Sequence, residues 1–212
     1  MNIVGISGLA GSGKDTVADL LLQKDGFIKI SLADPIKRFA RELWGFSIEQ
    51  LWGSSEHRNE QDLRYLCNGE YLTPRKVLQQ IGTECGRSLD FDVWIRYAIQ
   101  MSQKALSEQG KWSYSKEIGL ELYDKTKHIN CPEIIKGIII SDCRFVNELK
   151  YIKQSGGKLI RVIRPGAGLQ GEFGSHRSET ELVSIPDSEF DIIINNIGTL
   201  EDLKNIVNQI NV

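Results

Sequence analysis

The stretch NIVGISGLAGSGKDTVADLLL constrains this chain more than any other. An apolar run, residues 2–7, leads straight into a glycine-rich turn, and residues Lys14 to Gln23 continue with helical periodicity. Strand, turn and helix in that order put the turn at the carboxyl edge of a buried parallel strand. Gly8, Gly13 and Lys14 have the spacing G-x-x-x-x-G-K. Glycines there let backbone N–H groups close on an anion and adopt conformations other residues avoid. The helix directs its positive end at the same point, and Lys14 adds a full charge. The pattern reads as a cradle for phosphate. Position 15 departs from it: Asp15 stands where Ser or Thr is usual, and Thr16 follows one place late. A carboxylate is itself a hard oxygen ligand, so Asp15 either holds Mg²⁺, directly or through water, or only favours the helix N-terminus while Thr16 meets the phosphate. Both readings leave the loop functional.

Further strands are expected at FIKIS (27–31), KGIIISD (136–142), KLIRVIRPG and FDIIINN (190–196). Helices are expected between them, at ADPIKRFARELWG, TPRKVLQQIGTECGR, residues 91–108, RFVNELKYIKQSGG and TLEDLKNIVNQI. Asp34 is a candidate N-cap with Pro35 behind it, Thr73 and Pro74 repeat that opening, and Gly45 is a candidate stop. Strands alternating with helices imply an α/β fold, a parallel sheet flanked by helices on both faces. A chain of 212 residues with 41% apolar and 25% charged residues suits one such domain. No apolar run approaches the roughly 20 residues that span a bilayer, and the first strand leaves no room for a cleaved leader. A cytoplasmic location is expected. The formal net charge of −2 lowers the expectation of a nucleic-acid partner without excluding local basic clusters. Cys67, Cys85, Cys131 and Cys143 form no C-x-x-C pair, so zinc and redox motifs are unsupported and mostly buried thiols are expected.

Three more clusters carry chemistry. IIISD (138–142) is an apolar strand ending on Asp142, where a carboxylate would lie beside a metal ion at the strand's carboxyl edge. In the CRFVNE that follows, Arg144 is placed to clamp a phosphoryl oxygen, and Asn147 and Glu148 start the next helix near the same edge. In SLADPIKRFA, Asp34 and Lys37 either face the cleft together or form an ordinary capped, solvated helix start. Gln79, Gln80, Glu84 and Arg87 lie on or just beyond one helix, where they either read a base edge or form its wet face.

The combination of GLAGSGKDT, ADPIKR, LQQIGTECGR…D-x-W, SDCRFVNE and RPG…SHRSE resembles the bacteriophage deoxynucleoside monophosphate kinases. The resemblance covers most of the chain, least so residues 109–135. It implies a P-loop NTPase fold and Mg²⁺-dependent transfer of the γ-phosphate of ATP to a deoxynucleoside 5′-monophosphate in a host cell's cytoplasm. It further implies that Gly11, Ser12, Gly13, Lys14, Asp15 and Thr16 hold the ATP phosphates. Lys37, Arg144 and Arg75 would meet the acceptor phosphate; Asp15 and Asp142, from the residue reading above, are the candidate metal ligands. Gln79, Gln80, Glu84, Arg87 and Trp94 would border the acceptor base or sugar, and Arg164 would lie near the ATP base or phosphates. The expected layout over 1–212 is a single domain with a helical acceptor-binding region at about 34–108, a surface insertion at about 109–135 and a glycine-rich lid at about 165–181. Lid closure would keep water from taking the phosphate. A second copy of the chain is a candidate partner. Two other readings remain open at this point: a P-loop kinase acting on 5-hydroxymethyluracil in DNA, and a nucleotide-dependent binding protein that transfers nothing.

Overall fold

The computed structural model describes residues 2–115, 119–122, 132–168 and 177–211. In chain order the first elements are β1 (Ile3–Ser7), α1 (Lys14–Leu22), β2 (Phe27–Ser31), α2 (Asp34–Trp44), α3 (Ile48–Trp52) and α4 (Ser55–Asn59). A hairpin of β3 (Asp62–Cys67) and β4 (Glu70–Leu72) leads to α5 (Pro74–Gln79), a π-helical turn (Gln80–Cys85), α6 (Gly86–Leu89) and α7 (Val93–Ser107). A second hairpin, β5 (Trp112–Ser115) and β6 (Gly119–Leu122), precedes β7 (Gly137–Cys143), α8 (Val146–Gln154) and β8 (Lys158–Ile163). Then come α9 (Arg177–Ser184), β9 (Ile192–Asn195) and α10 (Leu200–Gln209).

The main sheet has the order β2-β7-β1-β8-β9, and every neighbouring pair is parallel. Successive strand side chains point to opposite faces, so the isoleucines of β7 divide between two cores. Ile138 and Ile140 pack with Ile95 and Ala98 of α7 and Ile152 of α8. Ile139 packs on the other face with Val17 and Leu21 of α1 and Leu203 and Val207 of α10. Helices therefore cover both faces, as the alternation of elements implies.

The region from 34 to 108 has a small core of its own, Ala40, Phe46, Leu51 and Val77, edged by Trp44, Trp52 and Tyr65. It is not purely helical, because β3 and β4 form an antiparallel hairpin within it. Thr73 caps α5 as expected, its hydroxyl accepting from the Lys76 N–H at 3.2 Å, and Gly45 ends α2 in the left-handed region at φ 58°. Asp34 is not the N-cap of α2. It is the first helical residue, and its carboxylate is turned towards Ser31 and Trp52.

The stretch at 109–135, expected on the surface, reaches the core. Trp112, Leu120 and Ile135 are buried in the same cluster as β2 and β7. Nor are the cysteines mostly buried: Cys67 and Cys85 are exposed and Cys143 is buried, while Cys131 lies outside the described residues.

Phe27 of β2 lies opposite Gly137 of β7, and a Cβ on Gly137 would come within 2.3 Å of the Phe27 ring. The ring covers the glycine across the strand pair in place of a second side chain. Gly137→Ala should therefore cost about 1–3 kcal/mol through overpacking. A thermal melt should fall by several degrees, and an unchanged melting temperature would show that Phe27 moves aside without cost.

Candidate active site

The turn after β1 is built on two glycines in the left-handed region, Gly11 at φ 78° and Gly13 at φ 94°. A side chain at Gly13 would strike the Asn196 amide, whose Nδ2 donates to the Ser12 carbonyl at 2.9 Å. Gly13 precedes α1, and no side chain caps that helix, so its first N–H groups remain available to an anion. The turn after β8 is pinned alongside by the Gly168 N–H, which donates to the Ala10 carbonyl at 2.8 Å.

Lys14 begins α1 and is only 5% exposed. Its ammonium lies 3.7 Å from one carboxylate oxygen of Asp15 and 3.7 Å from one of Asp142. Asp142 comes from the neighbouring strand β7, where the pairing with β1 shifts between Gly5 and Ser7. Asp142 itself has φ 66°, one of two non-glycine residues at positive φ among the described residues. That conformation is uncommon outside glycine and typical of positions that re-aim a side chain. Ser31, ending β2, donates its hydroxyl to the other Asp142 oxygen at 2.8 Å. Burial works to raise the Asp142 carboxyl, but Lys14, Arg144, Lys37 and Lys29 outweigh it and hold the group well below the usual carboxylate range. Asp142 is a fixed anion.

Across the cleft, Asp34 accepts from the Trp52 indole N–H at 3.1 Å and from the Ser31 backbone N–H at 3.3 Å. The Lys37 ammonium sits 5.4 Å from the centre of the Trp52 ring. Burial raises the Asp34 carboxyl, against the pull of Lys37, and burial lowers the Lys37 ammonium, against the pull of Asp34. Arg58 and Arg75 line the same wall. Arg75 is buried, and its Nε donates to the Asn59 side chain.

These groups enclose a cleft of about 620 Å³. Among the described residues, eight lysines and arginines and five carboxylates line it. A chain of net charge −2 has thus gathered positive charge in one place, which suits a polyanionic ligand.

No family model matches the chain. A protein of Acanthamoeba polyphaga mimivirus, provisionally named a deoxynucleotide monophosphate kinase, is 35% identical over 202 residues, covering 95% of this chain and 92% of that protein. The chain belongs to the deoxynucleotide monophosphate kinase family. The deoxynucleotide monophosphate kinase of enterobacteria phage T4 is 24% identical, with 96% of this chain and 95% of that protein covered. Among solved structures, a dephospho-CoA kinase from Campylobacter jejuni aligns at a TM-score of 0.46 and 18% identity, over 98% of this chain and 94% of that one.

Of the residues singled out in this kinase from sequence, the cleft is lined by Gly11, Gly13, Lys14, Asp15, Thr16, Asp34, Lys37, Arg75, Gln79, Arg87, Trp94, Asp142, Arg144, Glu148 and Arg164. Ser12 is buried behind the loop. Gln80 and Glu84 are exposed and do not line the cleft. Trp94 borders the cleft, but its indole N–H is taken by the Gly82 carbonyl at 2.7 Å. Asn147 lies off the cleft and donates to Asp92 at 2.7 Å. Glu148 reaches the cleft wall while its carboxylate is bound to Arg87 and to backbone N–H groups. Residues 169–176, the middle of the expected lid, lie outside the described ones.

Sequence reasoning missed Asp19, Lys29, Trp52, Arg58 and Tyr114, all of which line the cleft. Lys29 left a signal, since a lysine inside an otherwise apolar strand needs a buried partner. It has Asp19 at 3.6 Å and the Tyr114 ring at 5.5 Å. Trp52, Arg58 and Tyr114 left none, because the short elements carrying them have no periodicity to read.

Trp52→Phe should keep a ring over Lys37 and delete the N–H that steadies the charged form of Asp34. Asp34 should then protonate at a higher pH, moving the acid limb of the kcat–pH profile upwards. An acid limb that stays in place would show that the indole bond does not tune this carboxylate.

Proposed function

We propose that this chain transfers the γ-phosphate of ATP to a deoxynucleoside 5′-monophosphate, with the loop from Gly11 to Thr16 holding the donor and Lys37, Arg58, Arg75 and Arg144 receiving the acceptor phosphate. The observation that carries this reading is the joining of an uncapped glycine-loop helix to a second group of cations within one positively charged cleft. Membership of the deoxynucleotide monophosphate kinase family supports the same chemistry.

Phosphoryl transfer asks for little covalent help from a protein, so positioning and charge neutralisation account for most of the catalysis. Lys14 is set to meet the β- and γ-phosphates. Arg144, two residues beyond Asp142, is set to stabilise charge on the transferring group. The acceptor phosphate is already ionised, so no side chain need act as a strong base, and Asp142 serves better as a permanent anion. Arg164 borders the donor side.

Asp15 and Asp142 suit Mg²⁺. Their oxygens already bracket one cation, the Lys14 ammonium, and the Asp15 side chain is 60% exposed. No group of three or more His, Cys, Asp or Glu side chains that could hold a metal occurs among the described residues. That fits an ion bound through one or two carboxylates plus substrate phosphates and water. When bound, Mg²⁺ would neutralise charge on the transferring phosphate.

No helix among the described residues is long and apolar enough to cross a membrane.

The direct test is ADP release from ATP with each dNMP in turn, alongside DNA containing 5-hydroxymethyluracil. One or more free dNMPs should be phosphorylated, with only modest loss of rate between about 50 and 200 mM salt, because a mononucleotide lacks the run of phosphates that makes DNA binding steeply salt-dependent. Activity confined to the modified DNA would overturn the acceptor, and ADP release indifferent to any acceptor would overturn the kinase.

Asp15→Asn should raise the Mg²⁺ concentration needed for half-maximal rate, and Asp15→Ser, which restores the usual hydroxyl ligand, should recover part of the loss. Unchanged Mg²⁺ dependence in both variants would leave Asp15 only its favourable place at the helix N-terminus.

A further inference from the structure

Arg87 and Glu148 are both buried, at 8% and 1% exposure, and they form an ion pair between the turn after the π-helix and the first turn of α8. The other Glu148 oxygen accepts from the backbone N–H of Arg144 at 2.6 Å and of Phe145 at 3.0 Å. Burial raises the Glu148 carboxyl, opposed first by Arg87 and then by these two N–H groups. The Arg87 guanidinium sits over the Phe145 ring, its central carbon 3.7 Å from the ring centre, and donates to the Phe91 carbonyl at 3.0 Å.

A second tie runs beside the first. Asn147 donates to Asp92 at 2.7 Å and to the Phe91 carbonyl at 3.3 Å, and the Tyr151 hydroxyl donates to Asp92 at 3.3 Å. The first two turns of α8 therefore grip the acceptor lobe at residues 87–92 while Glu148 holds the backbone of Arg144.

We infer that Glu148 is a positioning residue: it transmits the placement of the acceptor lobe, through Arg87, to the main chain that carries Arg144. This rests on the proposed kinase reading. It assigns Glu148 and Arg87 a role different from contact with the acceptor base. Glu148 already meets the guanidinium and two backbone donors, so it has little capacity left for a ligand. Charge-assisted bonds are roughly twice as strong as neutral ones, which suits a group that must fix a loop rather than touch substrate. An error of about 1 Å at a reacting centre can cost on the order of 10²-fold in rate, so slack in this tie should appear in kcat.

Removing one partner alone would leave a buried unpaired charge and threaten the fold. The test therefore uses the double variant Arg87→Met/Glu148→Gln, which removes both charges, keeps similar volumes and leaves the glutamine oxygen to accept from the two N–H groups. It should melt close to the wild type and retain its KM for ATP. Its kcat for the best dNMP should fall by about tenfold to a hundredfold, and the Arg144 and Phe145 amides should exchange with deuterium faster. A folded double variant with wild-type kcat and unchanged exchange at those amides would overturn the inference. If the wild type itself turned over no dNMP, the kinase reading would fail, and the exchange rates would still decide whether Glu148 holds the Arg144 backbone.

Discussion

A buried lysine beside a largely covered aspartate persists only while each offsets the desolvation of the other. In this chain that pair is Lys14 and Asp142, set where β1 and β7 end side by side. Much of the cleft follows from bringing those two ends together. The slip in strand pairing after Gly5 and the left-handed backbone at Asp142 carry the carboxylate to the ammonium, and Ser31 holds it from the end of β2. The same edge then has cations on both sides: Lys37 from α2, and Arg144 from the turn before α8. Charge repulsion among them is tolerable because fixed carboxylates stand between. A polyanion entering the cleft replaces part of that internal compensation with its own charge.

Much of this was legible in the sequence for a physical reason. β1, β2, β7, β8 and β9 are short apolar runs in a sheet covered on both faces, and such runs announce themselves in composition. α1, α7 and α10 have enough turns to display a periodic face. The glycine loop was legible because its backbone conformations admit almost nothing else. What escaped were α3, α4 and the two hairpins, each of six residues or fewer per element. Their stability comes from contacts such as Phe46 and Leu51 packing under Trp52, which no local pattern encodes. Trp52, Arg58 and Tyr114 were lost with them.

The misjudged face of LQQIGTECGR has a different origin. A π-turn inserts one extra residue per turn, and each residue turns a helix by about 100°. Beyond Gln79 a face drawn with ordinary periodicity no longer points where it did. Gln79 stays in the cleft, while Gln80 and Glu84 turn to solvent and Gly82 takes the inner position. Gly82 offers a carbonyl instead of a side chain, and the Trp94 indole N–H donates to it. The aromatic ring is thereby locked by backbone, so the shape of that wall is decided by the turn and not by a rotamer.

The strand order has a bearing on synthesis as well. β1 is flanked by β7 and β8, and the Asn196 amide that steadies the Ser12 carbonyl stands just beyond β9. Until β7 leaves the ribosome, well over a hundred residues after β1, β1 has neither sheet neighbour, and its apolar side chains have no sheet to join. Long-range pairing of this kind is slow, and it leaves apolar strands exposed to other chains until the partners arrive. A nascent chain of this kinase would need cover for β1 until β7 and β8 emerge, and its glycine loop would gain the support of Asn196 only after β9 has followed.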